Sequence, residues 1–267
     1  MPKDPPPPAA APPRNPFDLS GRTAIVTGAS KGIGRSIAEH LARFGARVVI
    51  SSRKIGPCEE VAQAIRAGGG AATAIACNVS RKEDVSALVA GARAAFGPVD
   101  IVVCNAAANP YYGPLPEISD EAWHKIMDSN VLSALWFGQQ VLPDMIAQGG
   151  GAFIVVSSIG SIRPSPVIGA YGISKAALNH LVRCLAVEWG RHNIRVNAIL
   201  PGLVKTDFAR ALWESEDGQE RIRTRFPIAR VGVPDDIGPL AVYLASPGAA
   251  WTTGQTFVVD GGNSIVL

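Results

Sequence analysis

The chain has 267 residues, 47% of them hydrophobic and 18% charged, an ordinary globular composition long enough to bury a large core in one α/β domain. A formal net charge of +3 with no Lys/Arg stripe argues against a nucleic-acid partner. Apolar runs of strand length fall short of the ~20 residues a membrane span needs, so no membrane partner is expected.

Residues 1–16, MPKDPPPPAAAPPRNP, are half proline. Proline removes backbone donors and resists helix and sheet, so a disordered or polyproline-II arm is expected, with the folded domain, 17–267, starting near Phe17. An inert tail and a ligand for a proline-reading module are both open readings of the arm. Beyond it, the runs TAIVTG, ARVVIS, TAIAC, VDIVVC, AFIVVSS, IRVNAIL and QTFVVD alternate with segments of helical period. Near-continuous apolar runs separated by helices are strands buried on both faces of a parallel sheet. The predicted fold is α/β, a doubly wound three-layer sandwich of the Rossmann kind in a single domain.

The first unit, TAIVTGASKGIGRSIAEHLARFGA, reads as strand, glycine-rich turn and helix. Gly28, Gly32 and Gly34 let backbone pass close to a pyrophosphate, and the helix N-terminus favours its charge. Ser30, Lys31 and Ile33 lie within the turn and join the candidate cofactor set. Glycine also ends strands for steric reasons, but its place between first strand and first helix favours a dinucleotide. The second strand ends in Ser51-Ser52-Arg53-Lys54, about 20 residues past the glycines, where an NAD enzyme usually carries an acid for the ribose 2′-hydroxyl. A carboxylate there would repel the extra phosphate of NADP, whereas Arg53, beside Ser52, would attract it. Lys31 can add charge from the other side, so NADP(H) is favoured over NAD(H). The competing reading of Arg53 is a solvated loop charge.

The third and fourth strands carry Cys77 and Cys104. With Cys58 and Cys184 they are widely spaced, with no Cys-x-x-Cys pair, and His40, His124, His180 and His192 form no ligand cluster. Reduced thiols of a cytoplasmic protein are expected, without disulfides or a metal site. Ser158 follows the fifth strand and precedes Tyr171 by thirteen positions in SSIGSIRPSPVIGAYGISKAAL. Tyr171 and Lys175, at i and i+4, share a helix face. A phenol near pKa ~10 exchanges protons poorly at neutral pH. A close ammonium favours the phenolate by about one to three units. Ser158 can then hold a substrate oxygen while Tyr171 gives or takes its proton.

The ordered set Gly28/Gly32/Gly34, Asn105-Ala106, Asn130, Ser158, Tyr171-x-x-x-Lys175 and Pro201-Gly202 resembles the short-chain dehydrogenase/reductase superfamily from about Leu19 onward. That resemblance implies a seven-stranded parallel sheet in the order 3-2-1-4-5-6-7 and a homotetramer. It implies that Tyr171 is the general acid/base, that Ser158 polarises the carbonyl, and that Lys175 grips the nicotinamide ribose and lowers the Tyr171 pKa. Asn130 would hold a proton-relay water, Asn105 and Ala106 would lie along the cofactor ribose, and Val79 beside the adenine. Pro201 and Gly202 would shape the turn from which the Val204 backbone and the Thr206 side chain hold the nicotinamide carboxamide. Two positions depart from the family pattern. Asn78 stands where an aspartate usually faces the adenine amine, and Ala107 replaces the glycine of Asn-Ala-Gly.

CNAAANPYYGPL, SSIGSIRPSPVIGAY and PGLVKTDFARALW are similar to the branch of NADP-dependent retinol dehydrogenase/reductases and related carbonyl reductases. The chain ends in SIVL rather than an SKL-like peroxisomal address, which points to a cytoplasmic relative. Phe208, Leu212 and Trp213 fall in the segment that covers substrate in the family, a lid about 203–228, which would suit a hydrophobic ketone or aldehyde. The same catalytic set serves 3-oxoacyl-carrier reductases, and a non-catalytic dinucleotide-binding sensor is the alternative of a different class.

Overall fold

The computed structural model describes residues 15–209, 213–214 and 216–266. The arm expected over 1–16 therefore lies outside the described residues except for Asn15 and Pro16, whose carbonyl accepts a 2.8 Å hydrogen bond from Gly248 N. Leu212 and the side chain of Phe208 are likewise outside the described set.

All seven apolar runs form strands: β1 (Thr23–Thr27), β2 (Arg47–Ser52), β3 (Ala71–Ala76), β4 (Ile101–Cys104), β5 (Gly151–Val156), β6 (Ile194–Pro201) and β7 (Thr256–Val259). Every pair is parallel and the order is β3-β2-β1-β4-β5-β6-β7, as expected. The helices are α1 (Gly32–Arg43), α2 (Ile55–Ala67), α3 (Lys82–Phe96), α4 (Asp120–Met127), α5 (Ser133–Ala147), α6 (Gly169–Trp189), α7 (Glu216–Arg225) and α8 (Gly238–Ala245).

Side chains alternate across each strand, so a run apolar at every position feeds two cores at once. Ala24 and Val26 of β1, with Ile101 and Val103 of β4, face α1, α2 and α8, where Ile37, Leu41, Val61 and Ala241 pack. Ile25, Val102 and Phe153 face α3, α5 and α6, meeting Leu88, Phe137, Leu178 and Val182. Each fully buried Ile, Leu or Phe stabilises this packing by ~1.5–3 kcal/mol. Between α4 and α5 the chain makes a π-helical turn over Asp128–Leu132, so the run 120–147 is not one regular helix. Such one-turn expansions gather at functional sites, and this one carries Asn130.

Candidate active site

Parallel strands all point the same way, so the segments after β1, β2, β3, β4, β5 and β6 assemble at one sheet edge. After β1, Gly28 and Gly32 have φ of 62° and 59°, a region open to glycine. A Cβ at Gly34 would stand 2.4 Å from the Gly28 carbonyl oxygen and 2.5 Å from Asn105 Nδ2. Asn105 itself locks the turn, its Nδ2 donating to the carbonyls of Thr27 and Gly28 at 2.9 and 3.2 Å. Its side chain is therefore committed to the glycine turn. Ala106 N donates to Thr27 Oγ1 at 3.0 Å. Lys31 precedes α1 with extended backbone and offers no side-chain cap, leaving the first N–H groups of α1 for a ligand. That cradle fits a dinucleotide pyrophosphate. Ser30 is half-buried in it, and Ile33 packs into the core beneath.

The residues expected on the adenosine side stand at the ends of β2 and β3. Ser52 Oγ lies 3.0 Å from Cys58 Sγ, and Arg53 beyond it is exposed with no ion pair among the described residues. Asn78 Oδ1 accepts from Ser80 N at 3.2 Å, closing a tight turn that leaves Val79 half-buried. Lys31 is already engaged, its Nζ 2.7 Å from Asp207 Oδ2 across the cleft. From the β6 side, Gly202 is required by packing. A Cβ there would be 2.5 Å from Asp260 Cβ, and Gly202 N donates to Val259 O at 2.9 Å. Pro201 ends β6 buried, Val204 is bridged in parallel to Gly232, and Thr206 reaches back over the turn, its Cγ2 3.2 Å from a Cβ built on Gly32.

Ser157 and Ser158 leave β5 in opposite senses. Ser157 Oγ donates to the Lys175 carbonyl at 3.2 Å, turned into α6. Ser158 Oγ accepts from Gly160 N at 3.0 Å and hydrogen-bonds Tyr171. Lys175 Nζ donates to the Val156 carbonyl at 2.8 Å and sits 5.6 Å from the centre of the Tyr171 ring. Ser158, Tyr171 and Lys175 are thus brought together. Asn130 lies behind them, its Nδ2 donating to Ala108 O and Ser174 Oγ at 3.0 Å each while its Oδ1 accepts from Ala108 N at 2.8 Å. Both amide protons brace the β4 loop against α6, so the side chain is a strut between them.

The expected fall in the Tyr171 pKa is not found. Burial pushes the phenol up to about 12, and the hydrogen bond from Ser158 only partly opposes it. Burial also pulls Lys175 down to about 8, the Cys104 thiol pulling the other way. Burial is the leading cause at Tyr171, and the nearby Lys175 Nζ is bonded to the Val156 carbonyl. The neutral phenol is the resting form.

In the segment expected to form the lid, Trp213 Nε1 donates to the Thr206 carbonyl at 3.4 Å and Lys205 Nζ lies 5.2 Å from its ring centre. An open cleft of about 640 Å³ beside α7 is lined by Lys205, Trp213, Ile222 and Arg223 but not by Ser158 or Tyr171. Sequence reading missed Thr27, whose hydroxyl accepts from both Asn105 N and Ala106 N at 3.0 Å. It also missed Ser161, Ser174 and Asn179 around the serine and tyrosine. The signal for the last two lies in the sequence, since Ser174 precedes Lys175 by one residue and Asn179 follows it by one turn. Among the described residues no cluster of His, Cys, Asp and Glu could hold a metal, and no helix is long and apolar enough to cross a membrane.

Residues 28–264 match the family model described as Enoyl-(Acyl carrier protein) reductase. The chain is 41% identical over 250 residues to Dehydrogenase/reductase SDR family member 4 of Bos taurus, covering 94% of this chain and 89% of that protein. A 7 alpha-hydroxysteroid dehydrogenase solved with NADH and 7-oxo glycochenodeoxycholic acid superposes with a TM-score of 0.89 at 35% identity, over 92% of this chain and 96% of that one. A 3-oxoacyl (acyl-carrier-protein) reductase of Agrobacterium tumefaciens C58, solved with NADP, gives 0.87 at 35% identity over 92% and 95%. The family model and these relatives match over nearly the whole chain: it belongs to the short-chain dehydrogenase/reductase superfamily of nicotinamide-dependent oxidoreductases.

Proposed function

We propose that this protein interconverts a hydrophobic ketone or aldehyde and its alcohol with NADP(H), using Tyr171 as the general acid/base. The observation that carries the reading is the Ser158–Tyr171 hydrogen bond, with Lys175 one helical turn on, at the same sheet edge as the glycine turn. Bound NADPH would supply the hydride; the chain's own side chains do the rest. Ser158 Oγ accepts from Gly160 N, which anchors the oxygen while its proton turns from Tyr171 to a substrate carbonyl oxygen. Tyr171 donates its phenolic proton to that oxygen as the carbonyl carbon is reduced. A phenol held near pKa 12 stays protonated at neutral pH, the form that reduction needs. Lys175 stabilises the phenolate left behind and keeps two of its three N–H donors for ribose hydroxyls.

The NADP(H) preference rests on Arg53, exposed at the end of β2 and without an ion pair among the described residues, with no acid next to it in sequence. The hydrophobic substrate rests on the loops after β4 and β5, which join through Gly113 N and Val167 O at 2.9 Å and expose Tyr112, Leu115 and Ile162 around the Ser158/Tyr171 end. The carrier-linked reading, 3-oxoacyl reduction, is supported by the similarity to the 3-oxoacyl (acyl-carrier-protein) reductase and shares every catalytic group. The test is a panel of aromatic ketones, diketones, aldehydes and an acetoacetyl thioester, each with NADPH and NADH, followed by loss of reduced-nicotinamide absorbance. Turnover of hydrophobic ketones with NADPH supports the reading, thioester preference selects the carrier alternative, and no turnover at all leaves a dinucleotide sensor. Arg53→Asp should swing preference to NADH; an unchanged preference removes Arg53 from the phosphate site.

A further inference from the structure

Residues 157–161, which carry the serine, are seated on α6 at one-turn intervals. Ser157 Oγ bonds the Lys175 carbonyl, the Gly160 carbonyl fits against Gly172, and Ser161 meets Asn179. Asn179 is i+4 from Lys175 and i+8 from Tyr171, so all three share one helix face. Its Nδ2 donates to Ser161 Oγ at 2.8 Å. Ser161 Oγ in turn donates to the Ser158 carbonyl at 2.5 Å, and Ser161 N donates to that same oxygen at 3.0 Å. Asn179 is 5% exposed, and its Oδ1 is buried with no hydrogen-bond partner among the described residues. An orphaned buried amide oxygen costs ~1–3 kcal/mol. For stability alone, an apolar side chain would be the better occupant of that site.

The geometry points to Asn179 as a positioning residue that works through Ser161 to hold the Ser158 main chain, and so the Ser158 hydroxyl, in register with Tyr171. This rests on the reading of Ser158 and Tyr171 as the reacting pair. The link fixes the one Ser161 hydroxyl rotamer that bonds the Ser158 carbonyl. Without it Ser161 turns freely and the three-residue turn after Ser158 is held by Ser161 N alone. Catalytic groups must be held within about 0.5 Å of the productive geometry, and this link serves that tolerance.

The experiment compares wild type with Asn179→Leu, Asn179→Ala, Ser161→Ala, Ser161→Thr and the Asn179→Ala/Ser161→Ala double variant. With NADPH and a ketone that the wild type reduces, Asn179→Leu should lose about tenfold in kcat, keep its KM for NADPH, and melt no lower than wild type. Asn179→Ala carries the same test if the leucine variant fails to fold. Ser161→Thr, which keeps a hydroxyl, should retain activity, and the double variant should be no worse than either single one, because both cut the same link. The second readout is the phenolate absorbance of Tyr171 as pH rises, taken against Tyr171→Phe. The Asn179 variants should titrate at higher pH because the Ser158 hydrogen bond to the phenolate is weakened. Unchanged kcat with unchanged titration, additive losses in the double variant, or losses that track melting temperature would each overturn the proposal. Absence of turnover in wild type would instead sink the catalytic reading, while the titration would still decide the role of Asn179.

Discussion

Gly172 gives the sharpest perturbation of the site from outside it. It stands three residues into α6, where alanine is ordinarily the better helix former by about 1 kcal/mol. Here an added Cβ would lie 2.7 Å from the Gly160 carbonyl oxygen, about 0.7 Å inside ordinary contact, which begins at 3.4 Å. The obstacle is backbone, so no side chain can swing aside. Overpacking of this size costs ~1–3 kcal/mol, more than the propensity gain. The lighter partner yields: the turn Ile159–Ser161 must lift off α6, and with it the Gly160 N–H that holds Ser158 Oγ at 3.0 Å. A misplacement approaching 1 Å costs on the order of 10²-fold in rate. Gly172→Ala should therefore lose at least tenfold in kcat, keep its affinity for NADPH, and melt a few degrees lower. Steady-state kinetics with thermal denaturation reads all three. A variant that melts higher, as a plain helix glycine-to-alanine change would, and retains wild-type kcat would refute the close approach of α6 and this turn.

The glycine turn offers a second perturbation. Gly34→Ala drives a methyl into the Gly28 carbonyl and Asn105 Nδ2, so fluorescence titration should show dinucleotide binding lost or weakened more than tenfold; binding unchanged would contradict the turn. Lys175 supplies a pH dependence. Its folded pKa, about 8, lies below its ordinary value of 10.5, so between those limits the unfolded chain holds more protons and stability rises with pH. Denaturant titrations from pH 7.5 to 10.5 should show wild type gaining stability relative to Lys175→Met. A difference that stays flat would mean that Lys175 is not desolvated. Tyr171 acts in the opposite sense at higher pH: with its pKa raised to about 12, the contribution it makes is lost as pH climbs through that value.

Much of the architecture was legible because two-sided burial writes itself into a strand as an unbroken apolar run, and all seven such runs pair as expected. The glycine turn and the Ser158/Tyr171/Lys175 group were legible for a related reason: close approach and an i,i+4 pair are local and leave local spacing. What escaped was non-local. The π turn at Asp128–Leu132 changes helical register without changing hydrophobic pattern. The Asn105 amide is spent on the turn beside β1, seventy-eight residues away in sequence from its Thr27 partner, and Lys31 pairs with Asp207 across the cleft. The direction of the Tyr171 shift was misread because a sequence shows the neighbouring ammonium but not the depth of burial, and burial is the larger influence.

The central claim is that the Tyr171 hydroxyl moves the proton. Tyr171→Phe removes one oxygen from a buried ring and leaves the glycine turn, Arg53 and Lys175 in place. General acid/base catalysis contributes ~10²–10⁴ in rate, so single-turnover reduction of a ketone by the NADPH-loaded variant should slow by at least that lower bound, with NADPH affinity unchanged. Reduction at close to the wild-type rate would contradict the account.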